Sequence, residues 1–175
     1  LVAWSFTRQS LDHESGAKAP DTVARYGAPV PLVKEPCTRG HGEPISIIYA
    51  GQLSQRKGLA YLLRALRRLD VSWRLILAGS LVAGVPLELK TMLEDQRCTR
   101  LGTLSHPELL RRLTKAHVLV FPSIVEGFGM VLSEALAAGL PVITTPHTAG
   151  PDILTDGVDG FIVPIRDPDA IAQRI

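Results

Sequence analysis

The sequence predicts a doubly wound α/β domain: a parallel sheet of about six strands with helices on both faces. Three observations predict it. From Ile45 onward, apolar strand-like runs alternate with helical patterns six times. The runs are continuous rather than alternating, as in strands buried on both faces. The segments between them place apolar residues at helical spacing with charges opposite.

Ile45 to Ala50 is the first strand. Leu59, Leu62, Leu63, Leu66 and Leu69 mark a helix whose other face carries Arg64, Arg67 and Arg68. That basic face reads as solvated, with contact to an anionic membrane as the alternative. Trp73 to Ala78 is the next strand, Leu87 to Gln96 a weaker helix, and Cys98 to Leu101 a short strand. Pro107 to Lys115 is a helix with Pro107 at its first position, where a missing N–H costs least. Val118 to Phe121 is a strand, and Gly129 to Ala138 a helix stopped by Gly139. Pro141 to Thr145 is a strand, followed by a turn of helix near Asp152. Gly160 to Val163 is the last strand, and a helix starts at Pro168. Ligands of such sheets bind beyond the carboxyl ends of the strands, at a switch in strand order. The loops after Ala50, Ala78, Leu101, Phe121 and Thr145 are therefore the places to look for chemistry.

Residues 1–44 differ from the rest. Val2 to Phe6 reads as a short strand. Beyond it the chain is polar and broken by Pro20, Pro29, Pro31, Pro36 and Pro44. Gly27-Ala-Pro-Val-Pro reads as extended backbone, and Glu35 to Glu43 as a linker or surface loop. A domain boundary is expected near residue 44, leaving 45–175 as one domain. The chain starts at Leu1 without a charged-then-apolar leader and ends at Ile175 inside a helical pattern, as expected of a piece of a longer protein.

Composition narrows the function. Of the 175 residues, 46% are hydrophobic and 21% charged, which excludes a disordered tail. Two cysteines, Cys37 and Cys98, exclude a disulfide scaffold and a cysteine-based zinc site. A net charge of +2 and 5% aromatic residues argue against nucleic acid as a partner. The longest apolar run, Met130 to Ile143, is broken by Glu134, Gly139 and Pro141, so it cannot span a bilayer.

Two loops carry candidate chemistry. Gly51-Gln-Leu-Ser-Gln-Arg-Lys-Gly58 opens a helix, where free N–H groups and the dipole favour an anion, and Arg56 and Lys57 add positive charge. Its spacing is neither a P-loop nor the dinucleotide fingerprint, and an exposed basic helix start is the plainer alternative. The second feature runs strand, loop, helix, strand from Phe121 to Ile143. Glu126 lies in the loop and Glu134 in the helix, with seven residues between them. Gly127 and Gly129 allow close approach of backbone to a ligand. The amides of about Gly129 to Leu132 should point into the loop, where a phosphate fits. Glu134 sits little more than one turn in, among Val131, Leu132, Ala135 and Leu136, within reach of hydroxyls attached to that phosphate. Two carboxylates flanking a diphosphate-sized site suit a nucleotide sugar.

From about Ile45 to Ile175 the chain resembles the C-terminal, donor-binding domain of family 4 glycosyltransferases, retaining enzymes of the GT-B fold. The resemblance rests on Glu126-Gly-Phe-Gly…Glu134, which looks like that family's E-x7-E motif. Further markers agree in order and spacing: Gly51…Lys57-Gly58, Gly102-Thr-Leu104, Ala116-His-Val118 before Phe121-Pro-Ser, Ala138-Gly-Leu-Pro-Val142, and Gly150-Pro-Asp152…Gly157…Gly160-Phe-Ile-Val-Pro164. The resemblance implies a Rossmann-like domain forming half of a GT-B enzyme. Glu126 would meet the donor sugar, and Lys57 would stabilise the leaving diphosphate; these are the two implied catalytic residues. Gly51, Gln52, Arg56, Leu104, Gly127, Phe128, Gly129, Met130 and Val131 would complete the donor site, and Glu134 would bind the ribose hydroxyls. The donor would be a UDP-, GDP- or ADP-linked sugar, with neither metal nor cofactor needed. Such enzymes are often cytoplasmic, sometimes peripheral on the inner membrane face.

Three positions depart from the family pattern. Gln52 stands where Arg is usual, so the second diphosphate cation must be Arg56 or is missing. His117 stands where Asp is frequent and reads as a structural surface residue; Asp152 stands where Glu is usual. Residues 1–44 resemble the tail of an acceptor-binding N-terminal domain, with Val2 to Leu11 as its final strand and helix. The chain alone is therefore expected to bind donor weakly and transfer little. The competing readings are a non-catalytic nucleotide-binding module and a related GT-B enzyme such as a sugar-nucleotide epimerase. A phosphorylase lacks a suitably placed lysine for pyridoxal phosphate, and a dinucleotide dehydrogenase lacks its glycine fingerprint.

Overall fold

The computed structural model describes Ser5, residues 8–10, Gly27 and residues 37–175. The six strands are β1 Ile45–Ala50, β2 Trp73–Ala78, β3 Cys98–Gly102, β4 Val118–Phe121, β5 Val142–Thr144 and β6 Gly160–Ile162. They form one sheet in the order β3-β2-β1-β4-β5-β6, and every pair is parallel. Six helices alternate with them: α1 Leu59–Leu66, α2 Leu87–Leu93, α3 His106–Leu113, α4 Met130–Ala137, α5 Gly150–Ile153 and α6 Pro168–Arg174. The predicted Rossmann-like α/β class is what the chain adopts.

The pleat of β1 explains why both faces must be covered. Ile47 and Tyr49 point to one face, with Leu62 and Leu66 of α1, Leu89 of α2 and Ile171 of α6. Ile48 and Ala50 point to the other, with Leu113 of α3 and Leu132 and Ala135 of α4. Each leucine buried this way contributes roughly 1.5–3 kcal/mol. The continuous apolar character holds for the central strands β1, β4 and β5 but not for β3, where Thr99, Arg100 and Gly102 are exposed. β3 is an edge strand, so it has only one neighbour to cover it.

Four helices are shorter than their periodicity suggests, α3 among them, since it ends at Leu113 rather than Lys115. α1 stops at Leu66 because Arg68 and Leu69 donate three residues back, to Ala65 and Leu66, in a tight last turn. α2 stops at Leu93, short of Gln96, and α4 fills Met130–Ala137 inside its predicted range. In α3, Ser105 is the N-cap and His106 the first residue, so Pro107 is second rather than first. His117 is half-buried and structural. Its Nδ1 accepts the Ser46 N–H at 2.9 Å, and its own N–H donates to the Ser46 carbonyl at 2.8 Å, joining β4 to β1.

The strand expected over Val2–Phe6 is corrected at Ser5, which is helical, as are residues 8–10. The remainder of that stretch, and Gly27–Pro31 apart from Gly27, lie outside the described residues. Ser5 donates to Asp152 through both its N–H (2.8 Å) and its hydroxyl (2.7 Å), which ties this segment to α5. Cys37 to Glu43 is exposed, with a turn at His41–Gly42, as a surface loop should be.

Candidate functional site

The chain leaves β1 toward β2 on one side and reaches β4 on the other, so the strand order switches between β1 and β4. A cleft of about 610 Å³ opens there, beyond the carboxyl ends of the strands. The loops after β1 and β4 build most of it.

The loop after β1 is held from below and from the side. The buried Tyr49 hydroxyl donates to the Gln52 carbonyl at 2.8 Å, and burial pushes its pKa up. The Ile124 N–H donates to the Arg56 carbonyl at 2.9 Å, and Arg56 Nη1 donates to the Val125 carbonyl at 3.1 Å. The two loops are thereby zipped together. The loop after β4 is braced in turn by the loop after β5. The Glu126 N–H donates to the His147 carbonyl at 3.1 Å, and Thr145 Oγ1 donates to the Ser123 carbonyl at 2.5 Å. His147 Nδ1 lies 2.9 Å from the Ile124 carbonyl, a contact that needs its proton on Nδ1. Thr145 and His147 were not singled out by sequence reasoning, and no motif in one sequence marks them.

This bracing brings Lys57 and Glu126 into a direct ion pair, 69 positions apart in the chain. Their side chains are only 13% and 14% exposed. Burial, and after it the Arg56 guanidinium, push the Lys57 ammonium down to about 8, against the pull of the Glu126 carboxylate in contact with it. The ammonium also lies 5.6 Å from the centroid of the Phe121 ring. The second Glu126 oxygen accepts the Gly127 N–H at 2.9 Å.

Helix α4 points its N-terminus at this pair. Gly129, in the left-handed region at φ 82°, is its N-cap, and its first turn holds no acidic residue. Among the described residues, the amides of Gly129, Met130 and Val131 have no protein acceptor. Leu132, expected to share in this, instead donates to the Gly129 carbonyl at 2.9 Å. Three free donors at the positive end of a helix beside a lysine form a site for an anion.

Gly51, Gln52, Lys57, Leu104, Glu126, Gly127, Phe128, Gly129, Met130 and Val131 all line the cleft. Phe128 is buried in the core beneath it, whereas Met130 is 50% exposed. Two expected residues stand elsewhere. Arg56 does not line the cleft; held by Val125, it lines a neighbouring one. Glu134 is not among the lining residues; it is 7% exposed, with its Oε1 2.9 Å from His106 Nε2. His106 was missed because nothing in the sequence joins positions 28 residues apart. Among the described residues, no three His, Cys, Asp or Glu side chains gather to hold a metal ion.

The molecule is thus a doubly wound α/β domain with an anion-accepting cleft at its switch point. It belongs to the glycosyl transferases group 1 family, whose description matches residues 44–175. A protein named as a colanic acid biosynthesis glycosyltransferase in Escherichia coli is 30% identical over 166 residues, covering 87% of this chain and 40% of that protein. The amylovoran biosynthesis glycosyltransferase AmsK of Erwinia amylovora is 30% identical over 145 residues, covering 74% and 35%. The chain thus spans no more than 40% of the length of these relatives. Among solved structures, the apo lipopolysaccharide outer core galactosyltransferase WaaB superposes with a TM-score of 0.81 at 20% identity, covering 99% of this chain and 50% of that one. Anabaena HepE, solved with UDP and glucose, superposes with a TM-score of 0.68 at 22% identity, covering 74% and 37%.

Proposed function

We propose that this domain binds a nucleotide-diphosphate sugar and forms the donor half of a retaining, family 4 hexosyltransferase. The observation that carries this reading is the Lys57–Glu126 pair facing the three free amides of Gly129 to Val131. A diphosphate would take the place of the Glu126 carboxylate beside Lys57 and accept from the amides. Glu126, released, would turn to the sugar. Lys57 would then stabilise the charge that grows on the leaving diphosphate as the glycosidic bond breaks, an electrostatic effect that works best in a dry site. Leu104 would lie along the base, and the structure of HepE with UDP supports a nucleotide as the ligand. The acceptor, a glycan, lipid or small molecule, would come to the cleft on a second domain of the full-length protein, in the cytoplasm or at the inner membrane face. No helix among the described residues is long and apolar enough to cross a membrane.

Calorimetric titration with UDP, GDP and ADP, each with and without a sugar, tests the reading. Saturable binding of one nucleotide is expected, and its base names the donor. Glu134→Ala should weaken that binding about 10–100-fold, since charge-assisted hydrogen bonds to the ribose hydroxyls are worth about 1.5–3 kcal/mol each. His106→Ala should weaken it less, about threefold to tenfold, because His106 only holds the carboxylate in place at 2.9 Å. Failure of a folded chain to bind any of the three would overturn the donor-site reading in favour of a relic module.

A further inference from the structure

A second cleft, of about 430 Å³, lies on the other side of the loop after β1. Three guanidiniums line it: Arg56 from that loop, Arg64 from α1 and Arg166 from the turn between β6 and α6. Gln55 and Tyr61 line it too and add an amide and a hydroxyl as donors. No carboxylate lines the cleft. Asp167, beside Arg166, is engaged in capping α6 through the Ala170 N–H at 2.9 Å. Glu88 reaches Arg64 only at 3.6 Å, with both side chains about half exposed. Arg56 spends one of its five donors on the Val125 carbonyl. Among the described residues Arg166 has no polar partner at all.

Arg166 carries a second signal. At φ 62° it is the one non-glycine residue with positive φ among the described residues. An L-residue is strained there and glycine is not. Three guanidiniums facing one cleft repel one another, and a bound anion would offset that repulsion; the strained backbone marks Arg166 as a position where glycine would sit more easily.

We propose that this cleft is an anion site, separate from the donor cleft, that takes a phosphate ester through the forked donors of Arg64 and Arg166. The guanidinium fork matches two oxygens of one phosphate. The cleft opens at the same end of the sheet as the donor cleft, and Arg56, which lines it, is the chain neighbour of Lys57, which lines the donor cleft. The source of the phosphate is either a phosphorylated soluble acceptor or a lipid headgroup.

The test is a titration of the isotope-labelled chain with inorganic pyrophosphate, read by NMR at the arginine Nε–H groups and the amides of Gln55 and Tyr61. Saturable shifts at Arg64 and Arg166 are expected. The double variant Arg64→Ala with Arg166→Gly should weaken binding at the Gln55 and Tyr61 amides about tenfold or more. It should leave shifts at Gly129 to Val131 unchanged. Arg166→Gly relieves strain, so thermal unfolding of that variant should show no loss of stability. Shifts confined to Lys57 and Gly129 to Val131, or equal affinity in the double variant, would overturn the proposal. Sedimentation with phosphatidylglycerol vesicles separates the sources. Vesicle binding lost in the double variant names a headgroup, and pyrophosphate binding without vesicle binding names a soluble phosphate. Neither arm depends on donor binding, so failure of the donor-site reading leaves this result legible.

Discussion

Lys57→Met is expected to weaken nucleoside diphosphate binding about a hundredfold, close to 2.8 kcal/mol at 1.4 kcal/mol per decade. The ammonium is the one cation that lines the donor cleft among the described residues. It is mostly buried, so little water screens it from a bound anion. The same substitution leaves the Glu126 carboxylate largely buried with only the Gly127 N–H as partner, which should lower stability by about 2 kcal/mol. Adding Glu126→Gln removes the orphaned charge. The double variant should regain the stability and not the binding, a split that simple misfolding cannot produce. Its pH dependence gives an independent check. The diphosphate binds the charged ammonium, whose pKa in the free protein is held down to about 8 from 10.5. Below that pH the affinity should be flat. Above it Kd should rise about tenfold per pH unit until the pKa of the complex is reached. Lys57→Met should show no such rise between pH 8 and 10, and a rise that persists in the variant would assign the titration to another group.

The fold was legible in the sequence wherever one local rule decided the outcome. β1, β2 and β4 stand at their predicted residues because Ile45–Ala50, Trp73–Ala78 and Val118–Phe121 are bounded apolar runs in a buried sheet. Edges were harder. The burial of β3 depends on its having one neighbour, a property of the assembled sheet. The start of α3 could have been placed better, since Ser105-His-Pro-Glu108 has the spacing of a capping box and marks Ser105 as the N-cap. In the structure the Glu108 carboxylate goes instead to Arg111 and Arg112. At the candidate site, the residues on the two loop backbones were legible because loop position follows from topology. Arg56 was not, because its direction is set by a carbonyl in another loop, at Val125. The His106–Glu134 pair and the bracing by His147 are likewise products of tertiary approach, and a single sequence holds no trace of them.

Gly58→Ala should be strongly damaging for the addition of a single methyl. Gly58 is the N-cap of α1 at φ 75°, and a Cβ there would stand 1.9 Å from the Pro122 carbonyl oxygen. Nothing flexible can yield, because the obstacle is backbone of the loop after β4. The left-handed conformation costs an alanine about 1 kcal/mol, and forcing the loops apart about 2 kcal/mol more. The melting temperature should fall by roughly 6–12 °C. Gly139→Ala is the matched control. Gly139 has a similar φ of 69°, but its Cβ would meet nothing within 4 Å. It should show the conformational cost alone, roughly 2–4 °C, with donor affinity intact. The binding consequence separates the two further. Spreading the loops at Gly58 pulls Ile124 and Val125 away from Arg56, and with them Glu126 from Lys57. Donor affinity should therefore fall in Gly58→Ala even at temperatures where the chain is folded. Equal melting temperatures in the two variants would mean that the loops part freely, and that the packing of α1 against Pro122 does not hold the site in register.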